Sequence, residues 1–193
     1  MAIRPEQTAC VLLGAGRSRR FGDEDKLAMR FRGRTMLEHS LALLDGFAFA
    51  RKILVCRDLA LAPSNHGFEF VVTDDGEAPM SYSIRLGIAA LGQAPVKAVL
   101  IALADMPNVP ALHIDSLLLG FRSDDPYCMI ASRHGDIRMP PAVFGRGLFP
   151  KLAQLERDRG ARQLLDQAET VAASAEDLLD IDTPADLTNY ERR

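Results

Sequence analysis

The sequence predicts an α/β fold, a doubly wound and mostly parallel sheet with helices on both faces. Short, nearly continuous apolar runs such as Ala9–Leu13 and Lys97–Ala104 read as strands buried on both sides. They alternate with stretches whose apolar residues recur at helical spacing, among them Thr35–Leu44, Ser81–Leu91 and Ala111–Phe121, and that alternation is the pattern of parallel βαβ units. The first strand runs straight into a turn rich in glycine and arginine. Sheets of this kind bind ligands beyond the carboxyl ends of their strands, which is where that turn lies.

A chain of 193 residues that is 48% hydrophobic can bury a sizeable core, and no repeat, low-complexity tract or linker divides it, so one domain over residues 1–193 is expected. Net charge is −3 with both signs interspersed, and basic residues cluster only in the first turn. Nucleic acid and membrane surfaces are therefore not expected partners. No apolar run approaches the roughly 18–20 residues of a membrane helix, and the start Met1-Ala2-Ile3-Arg4-Pro5-Glu6 lacks a signal-peptide core. A cytoplasmic location follows as the expectation. Cys10, Cys56 and Cys128 each sit in or beside an apolar run without Cys-x-x-Cys or zinc spacing, and they read as reduced core residues. His39, His66, His113 and His134 form no i, i+4 pair and are not assigned to a metal.

Taken in order, Ala9–Leu13 is the first strand, and Leu13-Gly14-Ala15-Gly16-Arg17-Ser18-Arg19-Arg20-Phe21-Gly22 with Lys26 is the turn after it. Glycine lets backbone N–H groups approach an anion, and Arg17, Arg19, Arg20 and Lys26 supply charged donors suited to a triphosphate. An ordinary strand-to-helix turn with a solvated basic face fits the same residues. A P-loop is excluded because Asp23, not a Lys-Ser pair, follows Gly22. A dinucleotide fingerprint is excluded because Arg19 stands where the third glycine belongs.

Thr35 with Glu38 forms a capping-box pattern at the start of the first helix. Lys52–Cys56 and Phe68–Val72 read as strands, with a turn or short helix over Asp58–Pro63 between them. After the polar stretch Asp74–Met80, a helix opens on Ser81 and Ser83, whose hydroxyls suit either N-capping or an anion at the helix start. Lys97–Ala104 is the most apolar strand and belongs at the centre of the sheet. It ends on Asp105, and a carboxylate at the end of a buried strand is costly unless it is paired or holds a metal. Tyr127–Ala131 and Ile137–Gly145 are further strands, the second an edge strand because it contains Pro140 and Pro141. Gly147–Leu155 and Asp158–Leu165 look helical, the latter carrying Arg162. Leu178–Asp182 reads as a strand end with Asp180 and Asp182 on one face, followed by a helix with Pro184 at its first position and Asp186 in its first turn.

The run Ala-Gly-x-Ser-x-Arg-x-Gly with Lys26 close behind resembles the MobA-like nucleotidyltransferases, in particular the molybdenum cofactor cytidylyltransferases. Ser81-x-Ser83-x-Arg85-x-Gly87 is similar to that group's Gly-Met-Ser-x-Ser-Leu-Arg-x-Gly, with Pro79 in place of the first glycine. Leu-Ala-Asp-Met-Pro around Asp105, Gly-Ala-Arg-x-Leu-Leu around Arg162, and Asp-Ile-Asp-Thr-Pro-x-Asp-Leu from Asp180 follow in the family's order. Within Ile137–Gly145, which resembles Arg-Gly-His-Pro-Val-Leu-Phe, Met139 and Pro140 replace glycine and histidine, so no histidine role carries over.

The resemblance implies a Rossmann-like nucleotidyltransferase that moves a nucleoside monophosphate, CMP from CTP, onto the terminal phosphate of a molybdopterin-type cofactor. It implies nucleotide contacts at Leu13, Gly14, Ala15, Gly16, Arg17, Ser18, Lys26, Ser81, Ser83, Arg85 and Asp105, and an acceptor contact at Arg162. Arg20, Lys26 and Asp105 would be catalytic. Asp105 and Asp182 would hold Mg²⁺, or Mn²⁺ in its place, with Asp180 the rival of Asp182. A recipient molybdoenzyme or its chaperone would be the protein partner. The Leu-Gly-Ala-Gly turn matches neither the Ala-Ala-Gly of the cytidylyl group nor the Ala-Gly-Gly of the guanylyl group. A guanylyltransferase, an enzyme for another small phosphorylated acceptor and a non-catalytic delivery module remain alternatives.

Overall fold

A computed structural model of the chain describes residues 1–16, 25–59, 67–73, 79–156, 158–181, 183 and 186. In chain order the elements are β1 (Thr8–Gly14), the short pair β2 (Arg30–Phe31) and β3 (Arg34–Thr35), α1 (Met36–Asp45), β4 (Arg51–Cys56), β5 (Glu69–Val72) and α2 (Met80–Leu91). There follow β6 (Ala98–Leu103), α3 (Ala111–Gly120), β7 (Met129–His134), β8 (Ile137–Gly145), α4 (Phe149–Ala153), α5 (Asp158–Leu165) and β9 (Glu169–Ala172).

Seven strands form one sheet in the order β5-β4-β1-β6-β8-β7-β9. β1 runs parallel to β4 and β6, β4 to β5, and β7 to β9, whereas β8 is antiparallel to both of its neighbours. β6 lies at the centre, as its unbroken apolar run requires.

Alternation along β1 divides the core into two layers. Cys10 and Leu12, with Leu54 and Cys56 of β4, pack against Leu37 and Leu41 of α1 and against Leu117 of α3. Ala9, Val11 and Leu13, with Ile53 and Val55, face Ile84, Ile88 and Leu91 of α2 on the other side. α2 lies close on β1 because Gly87 has no side chain: a Cβ there would stand 2.4 Å from Val11 Cγ1. All three cysteines are free and buried, and burial pushes the thiols of Cys10, Cys56 and Cys128 up from their ordinary pKa.

α1 starts on the expected capping box. Glu38 N–H donates to Thr35 Oγ1 at 3.1 Å and Thr35 N–H donates back to Glu38 Oε2 at 2.6 Å, bonds that hold the Glu38 carboxyl below its usual range.

Four features differ from the expectations. β8 is not an edge strand: it lies between β6 and β7. Its ladder with β6 joins Ala142–Gly145 to Ala98–Ile101, and on the β7 side the register shifts between Ala131 and Ser132, opposite Ala142 and Met139 respectively. Pro140 and Pro141 thus fall in a bulge where no N–H is needed. Ser132 Oγ, fully buried, donates to Pro141 O at 2.7 Å. With its one proton used, that hydroxyl accepts from His113 Nε2–H, also at 2.7 Å.

The edges are β5 and β9, the latter a short strand whose Thr-Val pair in a polar context gives no strand signal in the sequence. Leu178–Ile181 is irregular rather than strand, yet Ile181 N–H donates to Asp105 O at 3.2 Å and so docks this segment beside the end of β6. Finally, α2 begins one residue before Ser81, with Pro79 as its N-cap and no side-chain cap bond. The two serines lie inside the first turn and are buried.

Candidate active site

β1 and β6 end side by side, with Ala104 N–H donating to Leu13 O at 3.0 Å. The turn after β1 and the aspartate after β6 therefore open onto the same rim. Leu13 and Ala15 are buried among core residues. Gly14 is a packing position, since a Cβ would press to 3.2 Å from Leu27 Cδ1 and 3.3 Å from Leu54 Cδ1. Gly16 differs: it is exposed, and a Cβ there would meet nothing within 4 Å among the described residues. Space beside a glycine just past a buried strand admits a ligand to the backbone. Arg17, Ser18, Arg19 and Arg20, expected to line the same turn, lie outside the described residues.

Lys26 returns the chain to this rim. Asp25 Oδ1 accepts from Leu27 N–H at 2.9 Å and caps a single 3₁₀ turn, Lys26–Ala28. Asp25 Oδ2 is held by Arg57 at 2.7 Å. The Lys26 side chain is 9% exposed, and its Nζ lies 2.8 Å from Asp105 Oδ2 and 3.4 Å from Asp180 Oδ1. One ammonium thus joins carboxylates from segments 75 residues apart in number, brought together by the Ile181 to Asp105 backbone bond.

Asp105 is fixed from three sides. Ala104 is tied to Leu13 through its N–H and accepts from Ser40 Oγ at 3.2 Å through its carbonyl, and Asp105 O receives Ile181 N–H. The second carboxylate oxygen, Oδ1, is buried without a hydrogen-bond partner. Such an oxygen is expensive to bury and suits a hard cation. The residues present therefore fit a divalent metal with oxygen donors. Asp182, the expected second ligand, lies outside the described residues, whereas Asp180 stands on Lys26. Among the described residues no group of three or more His, Cys, Asp or Glu gathers into a metal cluster.

A second region lies along α2. Met80 and Ile84 line a cavity of about 290 Å³ together with Arg138, Met139 and Pro140 of β8 and Arg162 of α5. Its walls are mostly apolar, with two guanidinium-bearing side chains. Arg162 was expected near an acceptor and is part of this wall. Arg85 points elsewhere, its guanidinium 5.2 Å from the centroid of the Tyr82 ring. Sequence reasoning gave no role to Arg138, whose Nε donates to Ala168 O at 3.2 Å; its signal is its place at the arginine of the Arg-Gly-His-Pro pattern from which Met139 and Pro140 depart.

Residues 10–171 match the family model described as the MobA-like NTP transferase domain. The chain belongs to the MobA-like NTP transferase family. Purine catabolism protein PucB of Bacillus subtilis (strain 168) is 26% identical over 200 residues, covering 94% of this chain and 95% of PucB. Nicotine blue oxidoreductase of Paenarthrobacter nicotinovorans is 30% identical over 173 residues, covering 81% of this MobA-like chain and 80% of that protein. Among solved structures, Rv0371c from Mycobacterium tuberculosis H37Rv superposes with a TM-score of 0.82 at 26% identity, over 97% of this chain and 99% of that one. A second structure of Rv0371c is a complex with manganese, with a TM-score of 0.78 at 25% identity over 96% and 98% of the two chains. The resemblance read from the motifs is thus the family itself, and the doubly wound sheet is its fold.

Proposed function

We propose that this MobA-like nucleotidyltransferase transfers CMP from CTP to the terminal phosphate of a molybdopterin-type cofactor and releases pyrophosphate, working as one domain over residues 1–193. The observation that carries the reading is the Lys26–Asp105–Asp180 arrangement where β1 and β6 end. It sets a mobile-stemmed cation and a carboxylate with an unsatisfied buried oxygen at the rim where a triphosphate would lie. The acceptor's phosphate oxygen attacks the α-phosphorus as the bond from that phosphorus to the β-phosphate bridging oxygen breaks. A phosphate dianion needs no strong base, so positioning and charge neutralisation are what the protein supplies.

Lys26, with Arg20 and the amides around Gly16, offsets charge on the triphosphate and the leaving pyrophosphate. Arg17 and Ser18, next in the sequence, would add further nucleotide contacts. Asp105 and Asp182 would hold Mg²⁺, which when bound draws the phosphate oxygens together and offsets their charge. Ser81 and Ser83, in the first turn of α2, present the helix N-terminus toward the nucleotide base. The cavity walled by Met139, Pro140, Arg138 and Arg162 takes the acceptor, with the guanidinium groups on its phosphate.

The Ser81-x-Ser83-x-Arg85 motif supports cytidine. Pyrophosphate release measured with each NTP, with and without the molybdenum cofactor and Mg²⁺, tests the whole reading. CTP-dependent release that needs both is the expected result, and none with any NTP overturns it. Asp105→Ala is expected to abolish turnover with the fold intact, checked by circular dichroism, and wild-type kcat in that variant removes Asp105 from the chemistry. The name of the nicotine blue relative favours a second reading, hydride transfer. Arg19 in place of the third fingerprint glycine opposes it, and an NADH fluorescence titration without response disposes of it.

A further inference from the structure

We infer that Lys26 and the divalent metal compete for the same carboxylates, so that Lys26 is an internal counter-cation which must leave Asp105 before the metal is fully held. The inference rests on the metal reading of Asp105 given above and concerns how that site is regulated.

Lys26 Nζ contacts Asp105 Oδ2 at 2.8 Å and Asp180 Oδ1 at 3.4 Å, with the ammonium nearly withdrawn from solvent. Both distances are within ion-pair range, so this is a direct bridge, not a loose approach. A divalent ion seeks these same hard oxygens. An ammonium and a metal cannot share them at contact distance without strong repulsion between like charges. Asp105 Oδ1, buried and without a hydrogen-bond partner, gives the metal one oxygen that Lys26 does not use. That oxygen is closed to solvent, so the ammonium has to move aside before a metal could reach it.

The stem of Lys26 permits such a swing. The residue sits at the start of a 3₁₀ turn whose backbone is pinned by Asp25, itself tied to Arg57. The backbone stays while the four-carbon side chain moves. Gly16, just past the end of β1 and with no described residue within 4 Å of an added Cβ, is where phosphate oxygens would receive the released ammonium. Metal binding and the Lys26–phosphate contact then assist one another: whichever forms first removes a cost from the other, and the coupling is reciprocal. The site would hold metal weakly until a nucleoside triphosphate arrives.

Mn²⁺ alone is the probe. Its binding is measured by electron paramagnetic resonance on the intact chain without nucleotide, for wild type, Lys26→Met and Lys26→Arg. Lys26→Met should bind Mn²⁺ about tenfold or more tighter than wild type, because a unit positive charge in contact with the ligand oxygens has been removed. Lys26→Arg, which keeps the charge, should not gain. Equal or weaker binding in Lys26→Met overturns the inference while leaving the metal reading in place. Absence of Mn²⁺ binding in every protein, with nucleotide as well as without, overturns both. Because Lys26→Met takes a nearly buried ammonium away from two carboxylates and is liable to unfold, the wild type carries a second measurement, acylation of Lys26 by an amine reagent followed by mass spectrometry. Labelling should rise when Mn²⁺ is added; unchanged or reduced labelling overturns the inference.

Discussion

Gly87→Ala tests how tightly α2 is seated on β1. The added Cβ would lie 2.4 Å from Val11 Cγ1 and 3.3 Å from Cγ2, against ordinary contact at 3.4–4 Å. Val11 is fully buried, so it has little freedom to turn aside, and α2 must lift. Overpacking of this kind costs about 1–3 kcal/mol, of which about 1 kcal/mol returns because alanine is the better helix former. A net loss of up to about 2 kcal/mol is expected. Val11→Ala by itself should cost about 2 kcal/mol through lost burial. In the double variant the two offending methyls are gone and the nearest Val11 atom, its Cβ, stands at 3.5 Å, an ordinary contact. The double variant should therefore cost less than the sum of the single ones by about 1–3 kcal/mol, the overpacking that is relieved. Urea denaturation of the four proteins gives the coupling. Additivity within about 0.5 kcal/mol would refute the close approach and with it the reason for glycine at this position.

Ser132→Ala removes the donor to Pro141 O and leaves His113 Nε2–H without its acceptor in a buried place, so a loss of about 1–3 kcal/mol is expected in urea unfolding; a midpoint shift near zero would show the pair to be idle. Burial pushes the pKa of His113 down, with Asp177 opposing. The unfolded chain then binds a proton near pH 6.5 that the folded one refuses, so stability is full above that value and falls as pH drops through it toward the lowered folded pKa. The slope should be at most about 1.4 kcal/mol per pH unit and absent in His113→Gln. Identical slopes in the two proteins, measured as urea midpoints from pH 7 to pH 5.5, would contradict the neutral buried ring.

Much of this architecture was legible because the physics that builds it is local. The run Ala98–Leu103 had to be central, since its side chains leave no polar face for water. Thr35 and Glu38 announced the start of α1, and both donate and accept as their spacing suggests. What escaped depends on partners distant in the chain. Pro140 and Pro141 forbid a regular ladder on paper, but the shift at Ala131/Ser132 provides a bulge in which an interior strand tolerates them. Leu178–Ile181 has a strand's alternation without a strand's neighbour, and one backbone bond to Asp105 anchors it instead. Ser81 and Ser83 look like caps because they begin an apolar-periodic stretch, but Pro79 fixes an earlier start. Of the site, Lys26 and Asp105 were named from the sequence. That they touch, and that Asp180 joins them, follows only from the return of the chain's last described segment to the end of β6.

The reversed course of β8 has one more consequence. Because β8 opposes β6 and β7, its first residues and the tip His134–Ile137 overhang the border where β1 and β6 finish. A tip joined to the rest by only two strands can change length or chemistry without disturbing the strands that carry Gly16 and Asp105. On the function proposed above, the acceptor side could thus be refitted while the half that carries Gly16 and Asp105 stays constant. Divergence between relatives of this chain should concentrate in that overhang.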